Sequence, residues 1–119
     1  MNCRKSIYFT YKLLEKNIFE IVFNENALNI YNSSNTLFSL IDLIECVKKN
    51  NKKINSFIFN FKNVTIIDSI GIGVLIESTN YIYKIFKNIK NKIKIKYINK
   101  NFISFKNQLN FKLDSIKIV

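Results

Sequence analysis

The order of strand-like and helix-like segments predicts an α/β fold: a mixed β-sheet with helices packed mainly on one side. Three observations predict it. Helical stripes alternate with extended apolar runs, as parallel pairing requires. Residues 54–61 read Ile-Asn-Ser-Phe-Ile-Phe-Asn-Phe, a largely apolar run of the kind found in central strands. Ile93, Ile95 and Tyr97 alternate with Lys92, Lys94 and Lys96, which keeps one face of a later strand wet.

In chain order, Ile7, Phe9 and Tyr11 alternate with Tyr8 and Thr10 as a first strand. The polar turn Glu15-Lys16-Asn17 leads into a stronger strand over residues 18–23, with Glu20 interrupting one face, so the pair reads as an antiparallel hairpin. Asn24-Glu25-Asn26 turns again, and Ala27-Leu28-Asn29-Ile30 is a short strand or extended approach. Leu37, Leu40, Ile41, Ile44 and Val47 recur at helical spacing, which predicts a helix over residues 36–49. Ser34 is the expected cap, and Lys48-Lys49 suit the negative end of the helix dipole. After the central strand, Val64-Thr65-Ile66-Ile67 is a second short extended piece. From Gly71 the period changes: Ile72, Leu75, Ile76, Thr79, Ile82, Tyr83 and Phe86 make one stripe of a helix of about four turns. A short helix over residues 102–107 and a last strand over residues 116–119 complete the pattern.

Composition narrows the function. A chain of 119 residues, 48% of them hydrophobic, is one domain with a real core rather than a disordered tail. The net charge of +11 comes almost wholly from Lys, and Arg4 is the one arginine. Bidentate reading of phosphate or guanine uses Arg. The charge therefore reads as the habit of an AT-rich coding sequence rich in Lys, Asn and Ile, and no specific nucleic-acid partner is expected. The absence of His removes Ser-His-Asp and Cys-His catalysis and His-bearing zinc sites. Cys3 and Cys46 belong to no CxxC motif, so a loose terminal thiol and a small packed side chain are expected rather than a disulfide, which suits a reducing compartment. No apolar run reaches the ~18–20 residues of a membrane span, and the start lacks a signal-peptide pattern.

The segment that carries chemistry is Asp68-Ser69-Ile70-Gly71-Ile72-Gly73, an exposed turn where an extended piece meets a helix N-terminus. Two readings fit it. Asp68 or Ser69 caps the helix and the glycines let it pack tightly on the sheet. Alternatively, the Ser69 hydroxyl is a modifiable group on a docking surface, where a phosphoryl group would add roughly two negative charges beside Asp68. The third glycine of a dinucleotide loop is Ile76, and the Lys-Ser/Thr end of a Walker loop is missing.

Residues 64–75, Val-Thr-Ile-Ile-Asp-Ser-Ile-Gly-Ile-Gly-Val-Leu, resemble the signature of the STAS domain family, the anti-sigma factor antagonists. The upstream strand Phe57-Ile58-Phe59-Asn60-Phe61 resembles the family strand that precedes it. The resemblance covers nearly the whole chain in element order. It implies a single STAS-like domain over residues 1–119, with the C-terminal helix missing. It implies a non-catalytic binding protein without cofactor or metal. Ser69 would be phosphorylated by an anti-sigma factor that is also a serine protein kinase; the unphosphorylated chain would bind that partner and release a sigma factor, and a serine phosphatase would reset it. Asp68, Ser69, Ile70, Gly71, Ile72 and Gly73 would form the partner-binding surface, with Asn29 beside them.

The chain departs from the family pattern at three places. Asn26-Ala27-Leu28-Asn29 stands for Gly-x-Leu-Asp, Ile70 replaces a second serine, and Asn60 stands where Asp is common. The alternative function is a non-switching STAS subunit of a lipid transport or other protein assembly. The expected location is the cytoplasm or, for so AT-rich a gene, the plastid stroma.

Overall fold

The apolar run that reads as a central strand is one. In the computed structural model, which describes residues 3–50, 53–87, 89, 93–98 and 116–118, seven strands, two α-helices and one short 3-10 turn (Glu15–Asn17) are defined. The strands are β1 (Phe9–Leu14), β2 (Ile18–Phe23), β3 (Ala27–Leu28), β4 (Ser56–Asn60), β5 (Ile66–Ile67), β6 (Ile93–Lys96) and β7 (Ile116–Ile118); the helices are α1 (Ser33–Asn50) and α2 (Ser69–Ile85). The main sheet has the order β1-β2-β4-β6-β7, with β4 in the middle. β1 runs antiparallel to β2 and every other pairing is parallel. β3 and β5 form a separate parallel ladder of two residue pairs.

Register explains the burial. Phe19, Ile21, Phe57, Phe59, Ile93 and Ile95 fall on one face and are fully buried. The Phe57 ring meets Phe86 at the end of α2 at 5.3 Å, so this face is the one the helices cover. Leu40, Ile44 and Val47 of α1 and Leu75 and Ile82 of α2 complete the core without measurable exposure. The opposite face carries Thr10, Lys12, Glu20 and Lys94, and Lys12 pairs with Glu20 at 3.6 Å. Helices on one side and lysines on the other follow from the two-residue period of the strands.

The first hairpin turns without glycine. Lys16 (φ 62°) and Asn17 (φ 58°) both adopt the left-handed conformation. Asn55, from the approach to β4, holds the turn: its backbone N–H donates to Asn17 O at 2.9 Å and its Nδ2 to Lys16 O at 2.8 Å. These bonds offset the left-handed cost of a non-glycine residue, about 1–2 kcal/mol.

Several expectations shift. β1 begins at Phe9 and runs to Leu14, and Ile7 is exposed. α1 starts three residues earlier than the hydrophobic stripe indicates. Asn32 accepts from the Thr36 N–H through its backbone carbonyl, Ser33 Oγ donates to Asn29 O, and Ser34 is an exposed residue of the first turn rather than the cap. The helix expected over residues 102–107 lies outside the described residues.

The cysteines require a larger correction. Cys3 and Cys46 form a disulfide, with Cα atoms 5.8 Å apart. The segment before β1 runs back over α1 and brings together two residues separated by 43 positions.

One core group is imperfectly matched. The Thr79 hydroxyl is fully buried and has no hydrogen-bond partner among the described residues. Thr79→Val keeps the shape and removes the unpaired group, so it should raise stability by about 1 kcal/mol. Urea melts of the two proteins check this, and a lower midpoint for the variant would contradict it.

Candidate functional site

The Asp68–Gly73 segment is the beginning of a helix rather than a turn before one. Asp68 is the N-cap of α2, with extended backbone (φ −111°, ψ −178°), and Ser69 is the first helical residue. Asp68 Oδ1 accepts from the Gly71 N–H at 2.8 Å, and its backbone carbonyl accepts from Ile72 N–H at 3.0 Å. The other carboxylate oxygen, Oδ2, accepts from the Ile30 N–H at 3.2 Å, and the Asp68 N–H donates to Leu28 O at 3.3 Å. One side chain therefore pins the end of β3 to the start of α2.

Asp68→Ala removes the cap and the tie to Ile30 together. A lost cap costs about 1 kcal/mol, and a charge-assisted hydrogen bond is worth somewhat more than a neutral one. We expect a loss of roughly 2 kcal/mol by denaturant titration. An unchanged midpoint would show that the Asp68 bonds do not hold this corner.

With the cap supplied by Asp68, the Ser69 side chain is exposed and makes no hydrogen bond to any described residue. The positive end of α2 is beneath it, a favourable place for an added anionic group. The capping reading holds for Asp68, and Ser69 is left exposed at the first position of the helix.

The glycines divide in the same way. A Cβ at Gly71 would lie 2.1 Å from the Leu28 carbonyl oxygen and 2.9 Å from Ile67 Cγ1. Gly71 is therefore the point where α2 meets the β3–β5 ladder. A Cβ at Gly73 would meet nothing within 4 Å, so this half-buried residue keeps the helix surface open. Ile72 is buried and Ile70 is exposed.

Asn29 is half-buried and committed to its own loop. Its Oδ1 accepts from the Tyr31 N–H at 3.0 Å, and its N–H donates to Asn32 Oδ1 at 3.1 Å. Asn32 Nδ2 closes the loop onto Ala27 O at 2.7 Å. The loop brings Asn29 next to the Ile30–Asp68 contact.

Sequence reasoning missed the apolar character of this corner. Ile30, Tyr31 and Ile66 are exposed, Tyr31 by 90%, and they come from the same loop and ladder that hold Asp68. The available signal was the pair Ile30-Tyr31 inside an otherwise polar stretch. Asn60, at the position where the resemblance expects Asp, is buried and uses Oδ1 to accept from the Lys62 N–H at 3.0 Å, a turn-forming role.

Among the described residues there is no group of three or more His, Cys, Asp or Glu that could hold a metal ion. No described helix is long and apolar enough to cross a membrane.

No family model and no curated protein matches this sequence. Solved structures do. The anti-sigma factor antagonist SpoIIAA in its unphosphorylated form aligns with a TM-score of 0.63 at 11% identity, covering 93% of this chain and 86% of that one. A proposed anti-sigma factor antagonist of Thermotoga maritima aligns at 0.62 and 21% identity, covering 92% and 84%. The Bacillus cell fate determinant SpoIIAA in its phosphorylated form aligns at 0.60 and 11% identity, covering 93% and 90%. At these identities the likeness is one of backbone architecture, and it spans nearly the whole chain. The chain thus has the STAS-like fold of these antagonist structures.

Proposed function

We propose that the chain is an anti-sigma factor antagonist that works by partner switching, with Ser69 as its phosphoacceptor. The observation that carries this reading is the presentation of Ser69. It is exposed at the first position of α2, relieved of capping by Asp68, in a fold shared with an antagonist solved in phosphorylated and unphosphorylated forms.

On this reading the unphosphorylated chain binds an anti-sigma factor with serine kinase activity and frees a sigma factor. The docking face consists of Ser69, Ile70 and Gly73, with Asn29 at its edge. Asp68, Gly71 and Ile72 set its shape from within. Ile30, Tyr31 and Ile66 add apolar contact area. Phosphorylation places a doubly charged group at the centre of that face, and a partner fitted to a neutral hydroxyl then dissociates. A serine phosphatase restores the binding form. The protein acts in the cytoplasm or plastid stroma, where its kinase partner would be.

The test is to incubate the chain with candidate kinase partners and ATP, and to locate any phosphate by mass spectrometry. Phosphate on Ser69 is the expected result; a partner that binds without ever phosphorylating Ser69 would contradict the switch and leave a non-switching binding subunit. In the binding assay, Ser69→Asp should weaken the complex by more than about tenfold, or ~1.4 kcal/mol. Ser69→Ala should retain affinity and block release by ATP. Equal affinity for the wild type and Ser69→Asp would remove the hydroxyl from the interface.

A further inference from the structure

The Cys3–Cys46 disulfide ties the segment before β1 to α1, away from the residues of the Asp68–Gly73 segment in sequence. Cys46 is in the last turns of α1 and is partly accessible. Cys46 lines a cavity of about 440 Å³, together with Arg4, Asp42, Glu45, Lys48, Lys49 and Ile85, and Asn50 Nδ2 donates to its Sγ at 3.4 Å. Cys3 does not line that cavity. Three cations face two carboxylates there, and one of the carboxylates, Glu45, already accepts a hydrogen bond from the Tyr81 hydroxyl. That contact, with burial adding to it, pushes the Tyr81 phenol above its ordinary range. The cavity is thus an open, weakly cationic approach to the Cys46 side of the disulfide.

We propose that Cys46 is a thiol-exchange site for a small anionic thiol of the glutathione class, which makes the disulfide a reversible latch. The thiolate of the incoming molecule attacks Cys46 Sγ. The Cys46–Cys3 bond breaks, Cys3 leaves as a thiolate that takes a proton from water, and the thiol is left in mixed disulfide with Cys46. A second thiol molecule attacks the sulfur of the first, releases Cys46 and leaves as the oxidised dimer. The protein disulfide gains two electrons and two thiol molecules lose them. Once open, the segment before β1 keeps its hydrogen bond from the Tyr11 hydroxyl to Cys3 O (3.0 Å) but loses its covalent tie to α1. The cations attract an anionic thiol to the Cys46 side of the disulfide, so the preference is one of approach.

The experiment exposes the oxidised, folded protein to reduced glutathione and, separately, to the neutral thiol 2-mercaptoethanol at equal thiolate concentration. Reactions are quenched by alkylation and mapped by peptide mass spectrometry. The expected result is a mixed disulfide at Cys46. Glutathione should react roughly two- to fivefold faster than the neutral thiol, the size of an exposed charge interaction. Arg4→Gln combined with Lys49→Gln should narrow that ratio towards one. A mixed disulfide at Cys3, or equal rates for the two thiols in the wild type, would overturn the proposal. So would opening only at the rate of global unfolding, measured in parallel by denaturant jump. If the double variant does not fold, the wild-type comparison decides.

Discussion

Gly71→Ala is expected to cost about 3 kcal/mol, the upper end of ordinary overpacking. In a domain of this size that lowers the melting temperature by roughly 12 °C. The reason is the identity of the atom in the way. The added methyl would be 2.1 Å from the Leu28 carbonyl oxygen, a backbone atom that cannot rotate aside. Leu28 is also held: its carbonyl accepts from the Asp68 N–H, and the residue pairs with Ile67 across the β3–β5 ladder. Relief requires α2 to lift from the ladder or the ladder to break. Gly73→Ala, two residues on, should do the reverse. With open space around the new methyl, the alanine gains helix propensity of about 0.5–1 kcal/mol, and the melting temperature rises by a few degrees. Calorimetry of the two variants tests both signs at once. A Gly71→Ala protein that melts with the wild type would show that α2 does not approach Leu28 as closely as described.

The second large effect belongs to the disulfide. Replacing both Cys3 and Cys46 with serine releases a loop of 43 residue separations in the unfolded chain. Loop-closure entropy assigns such a crosslink about 4 kcal/mol, equivalent to roughly 15 °C in melting temperature. The oxidised wild type should therefore melt well above the double variant, and addition of a strong dithiol should bring the wild type down to it while leaving the variant unmoved. Coincident melting curves before and after reduction would mean that the crosslink adds nothing to the folded state.

Much of the architecture could be read from local pattern. Phe57-Ile58-Phe59 is apolar on both faces because β4 has a neighbour on each side and helices above it. The alternation at Ile93 to Lys96 showed which face stays wet. The stripes of α1 and α2 located both helices, though their first turns were hidden. Ser33 and Ser69 carry no apolar signal, and the start of each helix is decided by hydrogen bonds with residues outside it. Asn32 and Asn29 settle the first start, and Asp68 the second.

Other features depend on long-range juxtaposition, which a linear pattern does not contain. Nothing around Cys3 or Cys46 signals the other, because the return of the chain over α1 brings them together. The different roles of Gly71 and Gly73 follow from the place of the Leu28 carbonyl, some forty positions away. The resemblance to the antagonist signature pointed to the corner where β3, β5 and the start of α2 meet. The structure distinguishes residues that shape that corner, Asp68 and Gly71, from those it displays, Ser69 and Ile70. Ile30, Tyr31 and Ile66 were missed because apolar residues beside short strands read as core.

The β3–β5 ladder has only two residue pairs and shares no strand with the main sheet. Its amide protons are shielded by little backbone pairing, so the ladder belongs to the class of elements that open by local fluctuation well below the global unfolding free energy. Asp68 is a main clasp on it, and Ser69 is the next residue. A charge added at Ser69 would act on this weakly paired part of the fold, so its imprint should appear first in local amide protection. A partner could then discriminate the two forms through the order of the Leu28–Tyr31 strap as well as through the phosphate itself.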